Sequence, residues 1–263
     1  MTAFNTKDIE INEEENKYLS AYMKKSKLSD LNVVVFGDSI SDVSVNGAWV
    51  APFKQLANCK SFHCYGRGYC RWTFWSNSTY NITDTSDSKD ANNVIWNEYN
   101  RLVNDVDKGN VETPDLIFIL AGTNDVSQLV DLGSPIDTFT KGEQGDITIL
   151  TNLSDSIRYV CDSIFHKYPN CKIVLGTPLP LGNAIKYANQ VKLRNTIIEC
   201  ANHMGLYYID CTYRSGIAWY REAQNSNYLL QDKIHLSDKG GQLVAQFLYN
   251  ELSKLFSYMY QER

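Results

Sequence analysis

Apolar residues are distributed along the chain in a way that predicts buried strands. Three runs are almost entirely aliphatic or aromatic, at residues 33–36, 116–120 and 173–175, and a glycine follows each within two residues. Continuous apolar runs of this length are typical of parallel strands that are buried on both faces. Two shorter segments, residues 61–65 and 206–209, predict two further strands. The sequence therefore predicts a sheet of five strands.

Helical patterns lie between these strands. Residues 184–204 and 238–256 carry apolar side chains at helical spacing, and a third helix is predicted after Asn152, which is a suitable N-cap residue. The apolar positions of this third helix are Leu153, Ile157, Val160, Ile164 and Phe165. Strands that alternate with helices predict an α/β fold, a three-layer α/β/α sandwich around a mostly parallel, flavodoxin-like sheet of five strands.

Domain organisation is simple. Residues 1–30 form a charged arm, and the pattern of its residues predicts a weakly amphipathic helix over residues 9–27. Residues 31–263 are expected to form one domain. The arm has no apolar segment of the kind found in secretory signals, which favours a cytoplasmic location. No uncharged stretch reaches the roughly 20 residues that a membrane-spanning helix requires.

Charge and cysteine content exclude several function classes. The 263 residues include 25 basic and 30 acidic side chains, so the net charge is −5. This balance argues against a nucleic-acid-binding surface, which needs clustered Lys and Arg. The seven cysteines include no CxxC pair, so neither a zinc site nor a redox pair is predicted. The third glycine of a dinucleotide fingerprint is also missing after Gly66 and Gly68, which disfavours nucleotide binding.

Residues with catalytic potential follow the predicted strands. Ser39 comes two residues after the end of the first strand, on a tight turn where a following helix would favour developing negative charge. Asn124 follows the third predicted strand along the chain, residues 116–120, where its amide can donate to an oxyanion. Near the C-terminus, Asp232 precedes His235 by three residues, a spacing at which a carboxylate can orient an imidazole that acts as a general base. Each signal is weak alone, because serine caps and polar turns are common.

Taken in order, these segments resemble the four sequence blocks of the SGNH (GDSL-type) serine hydrolase family. The blocks are Gly37-Asp38-Ser39, a glycine after the second strand, Gly122-x-Asn124-Asp125, and Asp232-x-x-His235 before a helix. The resemblance spans roughly residues 31–256. It implies the SGNH hydrolase fold and an esterase that needs no metal and no organic cofactor.

The resemblance also implies roles for individual residues. Ser39 resembles the nucleophile, His235 the general base and acid, and Asp232 the carboxylate that orients the histidine. The oxyanion hole would combine the Ser39 N–H, the Asn124 side chain and a glycine N–H of the second block, where Gly68 is preferred over Gly66. His63 stands about where the family usually has an asparagine, so the choice between the two glycines stays open.

Two long loops are expected to border the substrate crevice. Residues 69–90 and 126–146 follow strand ends, and ligands of doubly wound sheets bind beyond the carboxyl ends of the strands. Trp72 and Trp75 in the first loop are expected to form a platform for a sugar ring, and Asp38 is expected to contact the substrate too.

A small acyl group, such as acetyl, on carbohydrate is the predicted substrate. A lysophospholipase-like lipid or thioester hydrolase, and a noncatalytic sugar-binding protein, are the alternatives. The oligomeric state is not predicted.

Overall fold

A computed structural model describes residues 28–74, 93–128, 130–136 and 150–259 of the chain. The predicted helix over residues 9–27 lies outside these ranges, as do Trp75 and most of the two long loops. Within the described ranges, no helix is both long enough and apolar enough to cross a membrane.

A central sheet of five parallel strands confirms the predicted fold class. The strands stand in the order β2-β1-β3-β4-β5, which is a doubly wound order that reverses direction beside β1. The strands are β1 (Asn32–Gly37), β2 (Ser61–Cys64), β3 (Leu116–Leu120), β4 (Lys172–Gly176) and β5 (Tyr207–Ile209).

Helices cover both faces of the sheet. The three helices predicted from periodicity are present, and the Asn152 side chain caps one of them by accepting a hydrogen bond from the Asp155 N–H at 2.9 Å. The described helices are α1 (Val50–Ala57), α2 (Ile95–Asp107), α3 (Thr123–Gln128), α4 (Leu153–Lys167), α5 (Ala184–His203), α6 (Cys211–Arg214), α7 (Trp219–Gln224) and α8 (Asp238–Met259).

Alternating residues of β1 contribute to two separate cores. Val33 and Val35 pack with side chains of α1 and α8, whereas Val34 and Phe36 pack with side chains of α2, α4 and α5. Successive strand residues point to opposite faces of a sheet. Because helices bury both faces, no position on β1 needs to be polar, which explains its continuous apolar run.

Strand register brings the candidate segments together. Gly37 at the end of β1 pairs with Leu120 at the end of β3, so the residues that follow these two strands lie side by side. β2 is hydrogen-bonded to β1 on its other side. The segments that follow β1, β2 and β3 therefore meet at the carboxyl edge of the sheet.

Candidate active site

The turn that carries Ser39 requires a glycine before it. A Cβ atom on Gly37 would lie 2.6 Å from the Ser41 Oγ and 2.8 Å from the Leu120 carbonyl oxygen, which is too close for any side chain. The N–H groups of Ser41 and Asp42 donate to the Asp38 carbonyl and close the turn. No helix begins here, because α1 starts only at Val50. The expectation of a helix N-terminus beside Ser39 is therefore wrong.

Ser39, His235 and Asp232 form one chain of hydrogen bonds. The Ser39 Oγ lies 2.9 Å from the His235 Nε2, and the His235 Nδ1 lies 2.7 Å from an Asp232 carboxylate oxygen. Ser39 and His235 are 196 positions apart in the sequence, whereas Asp232 and His235 are three positions apart. The structure therefore brings together the three residues that the sequence singled out as a catalytic set.

Backbone contacts hold the Asp232 carboxylate in place. Its other oxygen accepts hydrogen bonds from the N–H groups of Ile234 and His235, at 2.9 Å and 3.0 Å. Partial burial raises the pKa of Asp232, but the hydrogen bonds from His235 and Ile234 outweigh it and leave the pKa below its usual value. The carboxylate is therefore ionised at neutral pH and accepts the Nδ1–H of His235. This arrangement leaves the Nε2 facing Ser39 as the proton acceptor.

Asp38 is a structural brace and does not line an open crevice. Its side chain is 1% exposed, and its two carboxylate oxygens accept hydrogen bonds from the N–H groups of Ile40 and Thr123. Burial raises the pKa of Asp38 to about 6, although these hydrogen bonds favour the charged form. Both oxygens are occupied by protein donors, so the expected substrate contact is wrong. Asp38 instead ties the Ser39 turn to the start of α3, where Asn124 lies.

Gly68 does not offer its N–H to a substrate in this structure. The Gly68 N–H donates to an Asp42 carboxylate oxygen at 2.8 Å, inside the protein. Gly66 is a glycine for steric reasons, since a Cβ there would lie 2.9 Å from the Cβ of Ser41. The expected oxyanion role of Gly68 is therefore wrong, because its only N–H group is already used. The Asn124 side chain lies close by and donates from its Nδ2 to the Cys70 carbonyl at 2.9 Å.

Trp72 is a core residue. Its side chain is 1% exposed and belongs to the core that contains Val34 and Phe36. The Trp72 N–H and the N–H and Oγ1 of Thr73 donate to the Asp125 carboxylate, at 3.0–3.1 Å. The expectation that Trp72 forms a surface platform is wrong, because a buried ring cannot stack on a sugar. The companion expectation for Trp75 falls outside the described residues.

Glu98 is a buried carboxylate that no pattern in the sequence marks. It lies on α2, is 0% exposed, and accepts a hydrogen bond from the Gly37 N–H at 2.8 Å. The Arg101 guanidinium is 3.8 Å from its other oxygen. Burial raises the pKa of Glu98 to about 8, because the favourable effects of Arg101 and of the Gly37 N–H only partly offset desolvation. The carboxyl is therefore mostly protonated at pH 7, directly behind the turn that holds Ser39.

We expect Glu98 to make the protein less stable as the pH rises. The group keeps its proton in the folded state up to about pH 8 but loses it near pH 4.5 when unfolded, so the folded state binds more protons between these values. Its contribution to the free energy of unfolding should fall by up to about 1.4 kcal/mol per pH unit in this window. Glu98→Gln has no proton to lose. Urea unfolding of both proteins from pH 5 to pH 8 measures the difference.

The comparison plots the free energy of unfolding of the native protein and of Glu98→Gln against pH. The stability of the native protein should decline relative to Glu98→Gln as the pH rises from 5 to 8. Glu199→Gln, at an exposed position of α5, is the matched control for loss of a glutamate charge. Parallel curves for the native protein and Glu98→Gln would show that Glu98 does not bind an extra proton in the folded state.

The described residues contain no cluster of three or more His, Cys, Asp or Glu side chains that could hold a metal ion. The Ser39 Oγ contacts the His235 imidazole, which accepts its proton, and the neighbouring segments supply backbone N–H groups and the Asn124 amide as donors. This set suits a reaction in which a serine attacks and a negative oxygen is stabilised by hydrogen bonds.

Comparison with known proteins agrees with this chemistry. Residues 35–243 match the sequence profile of the GDSL-like lipase/acylhydrolase family. No curated protein sequence matches the chain significantly.

Solved structures share the fold at low sequence identity. A lipase/acylhydrolase from Enterococcus faecalis is 17% identical with a TM-score of 0.51, over 85% of this chain and 95% of its own. The acetyl xylan esterase AlAXEase is 19% identical with a TM-score of 0.51, and the match covers 84% of this chain and 99% of its own. An acetyl-xylooligosaccharide esterase from Geobacillus is 15% identical with a TM-score of 0.51, and the match covers 86% of this chain and 96% of its own.

Proposed function

Because the chain belongs to the GDSL-like lipase/acylhydrolase family and is a carboxylic ester hydrolase, we propose that it cleaves esters through an acyl-enzyme on Ser39. The observation that carries this proposal is the chain of hydrogen bonds from the Ser39 Oγ through His235 to Asp232. A serine hydroxyl is a weak nucleophile unless a base within hydrogen-bond distance accepts its proton. His235 stands at that distance, and Asp232 orients it.

The reaction has two balanced steps. In the first, the Ser39 Oγ attacks the ester carbonyl carbon and its proton passes to the His235 Nε2; the bond to the alcohol oxygen then breaks, and that oxygen takes the proton from His235. In the second, a water molecule gives a proton to His235 and attacks the acyl group. The carboxylic acid is released and Ser39 regains its proton. Asp232 stays ionised throughout and stabilises the imidazolium.

The negative carbonyl oxygen of each tetrahedral intermediate needs donors. The Ser39 N–H makes no hydrogen bond to any described residue, and the Asn124 Nδ2 uses only one of its two hydrogens on the Cys70 carbonyl. Both groups are fixed before substrate binds, by the Asp38 brace between their segments. Donors that are fixed in advance stabilise a transition state without any cost of reorganisation.

We further propose that the acyl group is small, acetyl in particular, and that the alcohol is a carbohydrate. Support comes from the two structural neighbours that are named as esterases of acetylated xylan and xylo-oligosaccharide. Further support comes from an aromatic pair beside the catalytic loop. Tyr187 on α5 and Trp219 on α7 stack with ring centroids 5.0 Å apart, and stacked rings offer flat faces suited to sugars.

Contacts of Lys233 link the loop that carries His235 to the segments that carry the aromatic pair. Lys233, two residues before His235, accepts a hydrogen bond from the Gly182 N–H just before α5, and its Nζ donates to the Glu222 carbonyl in α7 at 2.7 Å. The loop that carries the histidine therefore contacts α7 and the segment that leads directly into α5, and these two helices carry the aromatic rings. Trp72 is buried and gives no support to a carbohydrate substrate.

A panel of esters tests the substrate class. The value of kcat/KM for p-nitrophenyl esters should be highest for acetate and should fall by about tenfold or more by octanoate. Acetyl groups should be released from acetylated xylo-oligosaccharides, and Trp219→Ala should weaken this by roughly tenfold, the loss of about 1.4 kcal/mol of aromatic contact. The same variant should change p-nitrophenyl acetate hydrolysis much less, because that substrate lacks the sugar.

Two outcomes of the panel would overturn the substrate proposal. A preference for long acyl chains would favour a lipid esterase. Faster hydrolysis of acyl thioesters than of the matched oxygen esters would favour a thioesterase. Both outcomes would leave the catalytic role of Ser39 in place, since the same acyl-enzyme serves each of these substrates.

A further inference from the structure

Tyr69 adopts a backbone conformation that bulky residues avoid. Its φ angle is +65°, in the left-handed region where a side chain crowds the backbone. Its side chain is 67% exposed, so burial of the ring does not compensate for this crowding. Strained residues of this kind concentrate at functional sites, where surrounding contacts hold them in place.

Contacts on both sides of Tyr69 impose this conformation. The Arg67 N–H donates to the Gly37 carbonyl at 3.1 Å, and the Gly68 N–H donates to the Asp42 carboxylate at 2.8 Å. On the other side, the Cys70 carbonyl accepts the Asn124 amide at 2.9 Å. Hydrogen bonds of its flanking residues therefore hold Tyr69 between the turn that carries Ser39 and the helix that carries Asn124.

Within residues 67–70, the N–H group of Tyr69 is the one that donates no hydrogen bond to a described residue. The N–H groups of Arg67, Gly68 and Cys70 all donate to protein acceptors, whereas that of Tyr69 donates to no described residue. A backbone N–H without an acceptor is costly unless water or a ligand satisfies it. Tyr69 is exposed, so water or a ligand can reach this segment and accept the hydrogen bond.

The geometry points to the Tyr69 N–H as the third donor of the oxyanion hole, a role that rests on the serine esterase mechanism proposed above. The donors would then be the backbone N–H groups of Ser39 and Tyr69 and the free hydrogen of the Asn124 Nδ2. The left-handed turn serves to aim the Tyr69 N–H away from the protein acceptors that occupy its neighbours. This assignment explains both the strain and the unused donor.

Replacement of one backbone amide tests this assignment directly. Incorporation of the α-hydroxy analogue of tyrosine at position 69 converts the Gly68–Tyr69 amide into an ester, which removes the N–H and keeps the phenol ring. We expect kcat for p-nitrophenyl acetate to fall about 100-fold or more with little change in KM, as for loss of other oxyanion donors. Asn124→Ala should give a loss of similar size and provides the reference.

Two further proteins separate loss of the donor from loss of structure. The same hydroxy acid at Tyr220, an exposed residue in the first turn of α7, should leave kcat for this ester unchanged. Tyr69→Gly keeps the N–H but frees the backbone, so its kcat should fall by less than tenfold.

The results distinguish this inference from the mechanism on which it rests. A position-69 ester that melts at the native temperature and keeps its kcat within about threefold would overturn the role of the Tyr69 N–H, while inactivity of Ser39→Ala would still support the mechanism. A larger loss in Tyr69→Gly than in the ester would also overturn it, because the tyrosine side chain would then be the group that matters. Full activity of Ser39→Ala would instead refute the serine mechanism itself.

Discussion

Ser39→Ala should lower kcat/KM for p-nitrophenyl acetate by about 10⁴-fold or more, because the serine, the histidine and the carboxylate act as one unit. The Ser39 hydroxyl has a single described hydrogen bond, to the His235 Nε2. Its removal should therefore leave the melting temperature within a few degrees of the native value. Steady-state kinetics together with a melting curve provide the measurement.

Ser41→Ala is the matched control for Ser39→Ala. Ser41 lies two residues further along the same turn and is fully buried, and its Oγ has no hydrogen-bond partner among the described residues. Removal of an unpaired buried hydroxyl is neutral or stabilising, so activity should stay within about threefold of the native value. Equal losses in the two variants would mean that the turn is sensitive to any substitution and would remove the support for Ser39 as nucleophile.

Trp72→Ala should destabilise the protein by about 3–5 kcal/mol, which is the usual cost of deleting a large buried aromatic side chain. The ring is 1% exposed and lies in the core between the sheet and its helices. Hydrolysis of p-nitrophenyl acetate and of acetylated oligosaccharides should decline together as the protein unfolds. Urea unfolding and the two values of kcat/KM measure these effects.

Two other tryptophan variants sharpen this test. Trp72→Phe keeps most of the buried ring and removes an indole N–H that has no partner among the described residues, so its loss of stability should be less than half as large. Trp219→Ala removes a half-exposed ring on α7 and should cost less stability than Trp72→Ala. An unchanged unfolding free energy in Trp72→Ala, with selective loss on the oligosaccharide, would restore Trp72 as a substrate platform.

Strands and helices were predictable where burial follows a simple period. The three strands with continuous apolar runs were predicted because both of their faces are covered, and α4, α5 and α8 because each presents one apolar face. The helix α2 was missed. Its buried face includes Glu98 and Arg101, so charged residues stand at positions where the periodicity calls for apolar ones. The helix α1 is only eight residues long and contains Pro52, which hides its pattern.

The candidate site was predictable only in part. Ser39, Asn124, Asp232 and His235 could be named because each is a reactive side chain at a strand end or before a helix. The donor that Gly68 was expected to supply could not be judged, because its N–H is taken by Asp42, 26 residues away. No pattern in the sequence marks a contact of that kind.

Burial inside a loop was equally hidden from the sequence. Trp72 lies among polar residues after β2, which resembles an exposed binding loop, yet Asp125 holds its backbone and the ring turns into the core. The left-handed backbone at Tyr69 gives no sequence signal either, since glycine would be the expected residue there. Both features depend on contacts between segments that are distant in the sequence, which only the folded chain shows.

Covalent labelling of the native protein tests the central claim most directly. A fluorophosphonate reacts with a serine whose hydroxyl is activated by a neighbouring base and forms a stable phosphonyl ester on it. Mass spectrometry of the intact protein and of its peptides should show one adduct, located on Ser39, and no adduct in Ser39→Ala. Labelling of a different residue, or equal labelling of Ser39→Ala, would contradict the assignment of Ser39 as the nucleophile.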